Sequence, residues 1–336
     1  MAADIFELGA TAVEGGVTIP GLRLAYITHG KLNADKSNAI LFPTWFGGSH
    51  VLNSWIIGPG KPLDPTQYFI VVVNIIGNGH SSSPSNTPAP FDGSHFPYVS
   101  VLDNVKAQRR LMTEKFGVDR LHLAIGRSMG AQIVFQWAAY YPDKVERLLP
   151  FVGSARTAHH NYIFLENVKM AVTSDPEFNG GAYGQPLTLA FERLQLVFDS
   201  WAASQAFYRE ELHLKAGFAT TREYLDRAQP AVTVDANDVL TQVATWQSAD
   251  LSRNELYNGD YEGALGAITA RAIVMPSKTD LYFPPEDSEI EVSHMPNAEL
   301  RIIPSIWGHR AGAPGTDPAD IAFVEQAVRD ILAVRP

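Results

Sequence analysis

The apolar residues of this chain recur with two different spacings. Residues 68–74 are continuously β-branched or aromatic up to Asn74, as expected of a parallel strand covered on both faces. Residues 39–42 repeat that pattern briefly and run into Pro43-Thr44-Trp45-Phe46-Gly47-Gly48-Ser49-His50. Residues 17–27 read as a paired strand region turning at Pro20-Gly21. Over 99–116 the spacing lengthens. Val101, Val105 and Leu111 recur at helical intervals with Lys106, Arg109 and Arg110 mostly outside, which predicts a helix. A short strand ending at the Gly126–Ser128 turn, a helix over 132–141 and a strand over 145–152 follow. Strands over 270–276 and 298–303 come next, then a closing helix over 318–334 with Asp317 placed to cap it. Strands alternating with helices predict an α/β fold, a mostly parallel central sheet flanked by helices.

Residues 154–266 interrupt that alternation. Helices are expected around 163–172, 187–200, 222–228 and 239–248, separated by Gly, Pro and Asn, with no internal repeat. The expected organisation is therefore a core domain of residues 1–153 and 267–336 with a helical insertion of 154–266. Inserted between two strands, such a block serves as a lid over the C-terminal sheet edge, where α/β active sites lie. The alternative is a separate helical domain with no part in the site.

The richest chemistry lies at Leu123-Ala124-Ile125-Gly126-Arg127-Ser128-Met129-Gly130-Ala131. An apolar strand running into Gly-x-Ser-x-Gly and then a helix is a nucleophile elbow, which holds a serine on a strained turn. Ser128 also falls at a helix N-terminus, where free N–H groups favour negative charge. In this arrangement an acid and then a histidine follow the serine along the chain. Asp280, just beyond the 270–276 strand, meets the first requirement; Asp287 and Asp260 are rivals that do not follow a strand end so directly. Only His294 and His309 lie beyond Asp280. His309 follows the last strand on the loop at the correct sheet edge, whereas His294 precedes it. Ser128, Asp280 and His309 are the expected triad. The oxyanion hole is expected from the N–H of Met129 and of Trp45, with Phe46 as the next candidate.

Charge and composition narrow the partners. Lys and Arg number 26 against 36 Asp and Glu, a net −10, which argues against nucleic acid or an acidic membrane face. No apolar run approaches the roughly 20 residues of a membrane helix. Residues 1–7 lack the basic and apolar regions of a signal peptide, so a cytoplasmic enzyme is expected. With no cysteine, disulfides and thiolate chemistry are excluded. His159-His160 has no third ligand at suitable spacing, so no metal is expected. Gly77-Asn78-Gly79 lacks the lysine and third glycine of a phosphate loop and reads as a turn. No cofactor is implied.

With these residues placed, the chain resembles the homoserine O-acetyltransferase family of α/β-hydrolases over nearly its whole length. The matching segments are Ile57-Gly58-Pro59-Gly60-Lys61-Pro62-Leu63-Asp64, Tyr68-Phe69-Ile70, Asn74-Ile75-Ile76-Gly77 and Val105-Lys106-Ala107-Gln108. The elbow with Trp137-Ala138 and Tyr141-Pro142-Asp143, and Asp280-Leu281-x-x-Pro284-Pro285, complete the set. The resemblance implies an α/β-hydrolase fold with a helical lid, an acyl-serine mechanism and a homodimer built through the lid. It also makes Ser128, Asp280 and His309 the matching triad, with Trp45 and Met129 at its oxyanion positions. Three candidate substrate-binding residues come from the same comparison. Arg193 lies near the family's carboxylate-holding lid arginine. Arg127 replaces a glycine of the family's elbow, which usually reads Gly-Gly-Ser-Met-Gly-Gly. Arg310 follows His309 where the family has an acid that helps hold homoserine's ammonium. A cation there repels an amino-acid acceptor, unless it faces solvent or pairs with a carboxylate such as Asp317. The leading expectation is hydrolysis of small acetyl-type esters. Acyl transfer from acetyl-CoA to an alcohol is the alternative, and a non-catalytic binding module is the remaining one.

Overall fold

In the computed structural model, which describes residues 2–227 and 235–333, one eight-stranded sheet organises the chain. Its strands are β1 (Asp4–Ala12), β2 (Thr18–His29), β3 (Ala39–Pro43), β4 (Phe69–Val73), β5 (Leu123–Arg127), β6 (Arg147–Phe151), β7 (Arg271–Val274) and β8 (Ala298–Leu300). They lie in the order β1-β2-β4-β3-β5-β6-β7-β8, antiparallel through β4 and parallel from there to β8. Helices α1 (Val101–Arg110) and α2 (Met129–Tyr140) belong to this core, as do α10 (Pro285–His294) and α11 (Pro318–Ala333). Between β6 and β7 lie α3 (His159–Thr173), α4 (Thr188–Ala202), α5 (Gln205–Arg209), α6 (Leu212–Lys215), α7 (Thr221–Leu225), α8 (Ala236–Gln247) and α9 (Tyr261–Gly266). Ala228 and Val334, each the expected end of a helix, lie outside the described residues. No helix among the described residues is long and apolar enough to cross a membrane.

Every residue of β3, β4, β5 and β6 is buried, so their uninterrupted apolar runs reflect packing on both faces. Alternation sorts the side chains of β5. Ala124 joins the apolar cluster that holds α1 and α2, while Leu123 and Ile125 join the one that holds α11. Ser100 opens α1 with a capping box, accepting from the Asp103 N–H while the Asp103 carboxylate accepts from the Ser100 N–H. The single helix expected over 99–116 is α1 followed by a π-turn at Leu111–Lys115.

The N-terminal region departs from expectation. β2 runs straight through Pro20-Gly21, and its partner is β1, which the sequence pattern did not suggest. Gly9 pairs with Leu22 and Thr11 with Ile19, leaving Pro20 and Gly21 in a register shift. A proline is tolerated at such a bulge because no ladder bond is asked of it. β1 itself is largely exposed or half-buried, so it lacks the apolar signature of a strand.

Candidate active site

The elbow begins with two close backbone approaches. A side chain at Gly126 would put a Cβ 2.1 Å from the Gly130 carbonyl oxygen, and one at Gly130 would sit 3.0 Å from the Pro43 and Thr44 carbonyls. Only glycine lets strand and helix meet so tightly. Between them Ser128 is held at φ 55, ψ −127, a conformation that costs a non-glycine residue about 1–3 kcal/mol. The turn lifts Ser128 Oγ above β5 at the first turn of α2.

Beyond β7 the chain folds back at Ser277, whose carbonyl accepts from the Asp280 N–H at 3.1 Å. One Asp280 oxygen accepts from the Tyr282 and Phe283 N–H groups at 2.8 and 3.2 Å. The other faces His309 Nδ1 at 2.8 Å, and His309 Nε2 lies 2.9 Å from Ser128 Oγ. Thr279 joins the two loops, since its hydroxyl donates to the Ser305 carbonyl and accepts from the Gly308 N–H. The three residues singled out from sequence thus meet in one buried hydrogen-bonded chain. Their rivals do other work. Asp260 caps α9, Asp287 sits in the first turn of α10, and His294 ends α10 beside Glu262.

Burial pushes the His309 pKa below its ordinary value; the Asp280 carboxylate opposes that, and the Arg127 and Arg310 charges add to it. The imidazole is therefore neutral near pH 7, the form that accepts a proton from a serine. Tyr282 and Phe283 flank it with ring centroids at 4.7 and 5.6 Å. Phe198 of α4 stacks on Phe46 at 5.5 Å, and Phe164 of α3 packs 4.4 Å from Tyr282. Aromatic side chains of the insertion thus pack on Phe46 and on Tyr282, the ring beside His309. The N–H groups of Met129 and Trp45 donate to no other group among the described residues.

The three arginines occupy different positions. Arg310 donates to Asp199 of α4 and to the Tyr224 hydroxyl, each at 2.8 Å. Its carboxylate partner is Asp199 and not Asp317, which accepts instead from the Ala319 N–H. The same buried Asp199 also takes Arg227 in a two-pronged pair. Arg193 is not brought to the triad residues. Its guanidinium donates to the carbonyl and hydroxyl of Ser174. Arg127 is turned toward the His309 loop. It is buried, donates to the His309 carbonyl at 2.6 Å and lies 5.4 Å from the Trp45 ring.

Asp199 and Arg227 escaped the sequence reading. Asp199 follows Leu194 off the apolar stripe of α4 and so resembles a solvated acid; its partners come from remote segments. His160 packs against Trp201 at 4.6 Å, and no metal-like cluster occurs among the described residues. Gly77-Asn78-Gly79 forms a turn, with the Gly77 N–H donating to the Ser82 carbonyl.

Residues 40–309 match the family described as the alpha/beta hydrolase fold. The chain belongs to the α/β-hydrolase family. It is 39% identical to the ethyl acetate hydrolase of Pseudomonas veronii, over 98% of this chain and 95% of that one. Among solved structures it superposes on the acetyl esterase MekB with a TM-score of 0.96 at 38% identity, covering 99% of this chain and 97% of that one. Homoserine O-acetyltransferase of Chlorobium chlorochromatii is more distant, at 29% identity over 95% of this chain and 92% of its own.

Proposed function

We propose that this α/β-hydrolase is a serine esterase that cleaves small acetyl-type esters. The observation that carries the reading is the hydrogen-bonded chain Ser128–His309–Asp280 at the strand ends. Ser128 Oγ attacks the ester carbonyl while His309 Nε2 takes its proton. The Met129 and Trp45 N–H groups receive the oxyanion, a term whose loss costs on the order of 10²–10³ in kcat per donor. Collapse expels the alcohol, protonated by His309. Water then attacks the acyl-serine with His309 as base, releasing the acid and restoring the serine. Asp280 fixes the tautomer that points Nε2 at Ser128. The names of the two most similar relatives cited support an acetyl group and a small alcohol.

The likeness to homoserine O-acetyltransferase supports the same acyl-serine with an alcohol as second acceptor. The charges beside His309 speak against an amino-acid acceptor. Arg227 and Arg310 share one carboxylate, leaving an excess positive charge near an incoming ammonium. Two like charges about 4 Å apart repel by roughly 1–4 kcal/mol between water and an effective dielectric of 20; Asp199 reduces this. Helices α3 to α9 serve as the lid in this reading, and the exposed Ile163, Met170, Leu189 and Leu196 of α3 and α4 form the face on which two copies pair. The test supplies ethyl acetate or p-nitrophenyl acetate, then acetyl-CoA with saturating L-homoserine, and identifies products by mass spectrometry. Acetate from the esters with little O-acetylhomoserine is expected. O-Acetylhomoserine as the main product overturns the esterase reading.

A further inference from the structure

Arg127 occupies the position immediately before the candidate nucleophile, as the last residue of β5. It shares the strand face of Leu123 and Ile125, the face that packs toward α11. That parity aims its side chain away from α2 and toward the loop that carries His309. There the guanidinium is buried, with one Nη donating to the His309 carbonyl and its plane near the Trp45 ring. Its Nε finds no partner, and no carboxylate lies within ion-pair distance of it among the described residues.

A buried cation so placed is costly. Burying an ion without a paired counter-charge is strongly unfavourable, and burial pushes the Arg127 pKa down to about 10, with Asp280 opposing. A methionine would fill similar space without that cost. What the charge and the fork reach are the two segments that must keep register with Ser128. We propose that Arg127 is a positioning residue that ties the His309 loop, through its carbonyl, and the oxyanion loop, through the Trp45 ring, to the Ser128 elbow. The proposal rests on reading Ser128, His309 and Asp280 as the catalytic groups.

Two consequences separate this role from space filling. Misplacing His309 slows proton transfer without weakening ester binding, so kcat falls and KM does not. The charged groups facing His309 are Asp280 after β7, Arg127 from β5, and its neighbour Arg310, which Asp199 of α4 holds; α11 contributes Asp320, which is engaged on Ser305. Of these, removing the Arg127 charge favours the imidazolium and moves the acid limb of the rate profile to higher pH.

The experiment measures kcat, KM and the pH–rate profile of Arg127→Met and Arg127→Gln with p-nitrophenyl acetate, alongside circular dichroism. Arg127→Met is expected to lose kcat by about 10–10²-fold with KM changed less than about threefold, and its acid limb to rise. Arg127→Gln, which keeps a donor for the carbonyl, is expected to lose less kcat while showing the same shift; it carries the test if the methionine variant does not fold. A folded variant of either kind with kcat within about twofold of wild type and an unmoved limb overturns the proposal. An active-serine phosphonate probe is applied to the wild type in parallel. Labelling away from Ser128 rejects the triad reading itself, whereas Ser128 labelling with unaffected Arg127 variants rejects only the positioning role.

Discussion

At the sheet edge, backbone does most of the positioning. Ser128 stands on a turn that two glycines permit, and Asp280 is held by the Tyr282 and Phe283 N–H groups. In the helical insertion, side chains meeting across long sequence distances do it instead. Asp199 of α4 gathers Tyr224 and Arg227 from one segment and Arg310 from another. The first arrangement depends on local geometry that few substitutions can imitate. The second depends on compensating charges, so it is sensitive to the loss of any one partner and tolerant elsewhere. A mutation at the edge should therefore abolish turnover and spare the fold, whereas one in the Asp199 knot should weaken the fold and slow turnover only in consequence.

The largest effect is expected at the edge. Ser128→Ala and His309→Ala should each lower kcat by on the order of 10⁵–10⁶, and Asp280→Asn by about 10⁴, because the three act as a unit. Urea unfolding of the serine variant should match or exceed wild-type stability, since alanine removes no structural partner. Turnover by Ser128→Ala near the wild-type rate would place the chemistry elsewhere.

In the insertion, Asp199→Ala leaves two arginines facing each other. Breaking a buried pair costs roughly 3–5 kcal/mol, and the partial exposure of Arg227 and Arg310 puts this knot at the lower end of that range. Urea denaturation would measure it. Equal stability of variant and wild type would show that the knot does not brace the insertion.

The pH dependence sharpens the contrast at a smaller scale. His309 must be neutral to accept the serine proton, and burial holds its pKa below the ordinary histidine value. Activity should therefore persist below pH 6.5 and be lost as pH falls through that lower value. A kcat/KM profile with an acid limb above 6.5 would contradict the environment described for His309.

The smallest effect is expected at Arg193. Its guanidinium is engaged by Ser174, so Arg193→Ala should leave kcat/KM for ethyl acetate within about twofold of wild type. A large rise in KM would bring Arg193 back to the substrate.

The two regions also differ in how far they could be read from sequence. Ser128, Asp280 and His309 were legible because each is signalled by a neighbouring strand end, and the order of strands dictates which loops share an edge. Of the fully buried strands, β3 and β4 were legible as runs with no polar residue to interrupt them. β1 was not, since a half-exposed strand carries too little apolar signal, and Pro20 looked like a turn where a bulge absorbs it. The role of Asp199 was invisible because a lone acid in an amphipathic helix reads as part of its solvated face, whatever apolar residues flank it; its partners Tyr224, Arg227 and Arg310 meet it only in three dimensions. Arg127 illustrates both cases. Its position beside the serine was evident, but its direction follows from strand parity, and its partner from the path of the His309 loop.

The central claim is that an acyl group rests on Ser128 during turnover. Rapid-quench mass spectrometry of the enzyme mixed with p-nitrophenyl acetate tests it most directly. The account predicts a transient acetyl adduct on the peptide that bears Ser128, absent from Ser128→Ala. An adduct on another residue, or full turnover with no adduct and no dependence on Ser128, would contradict it.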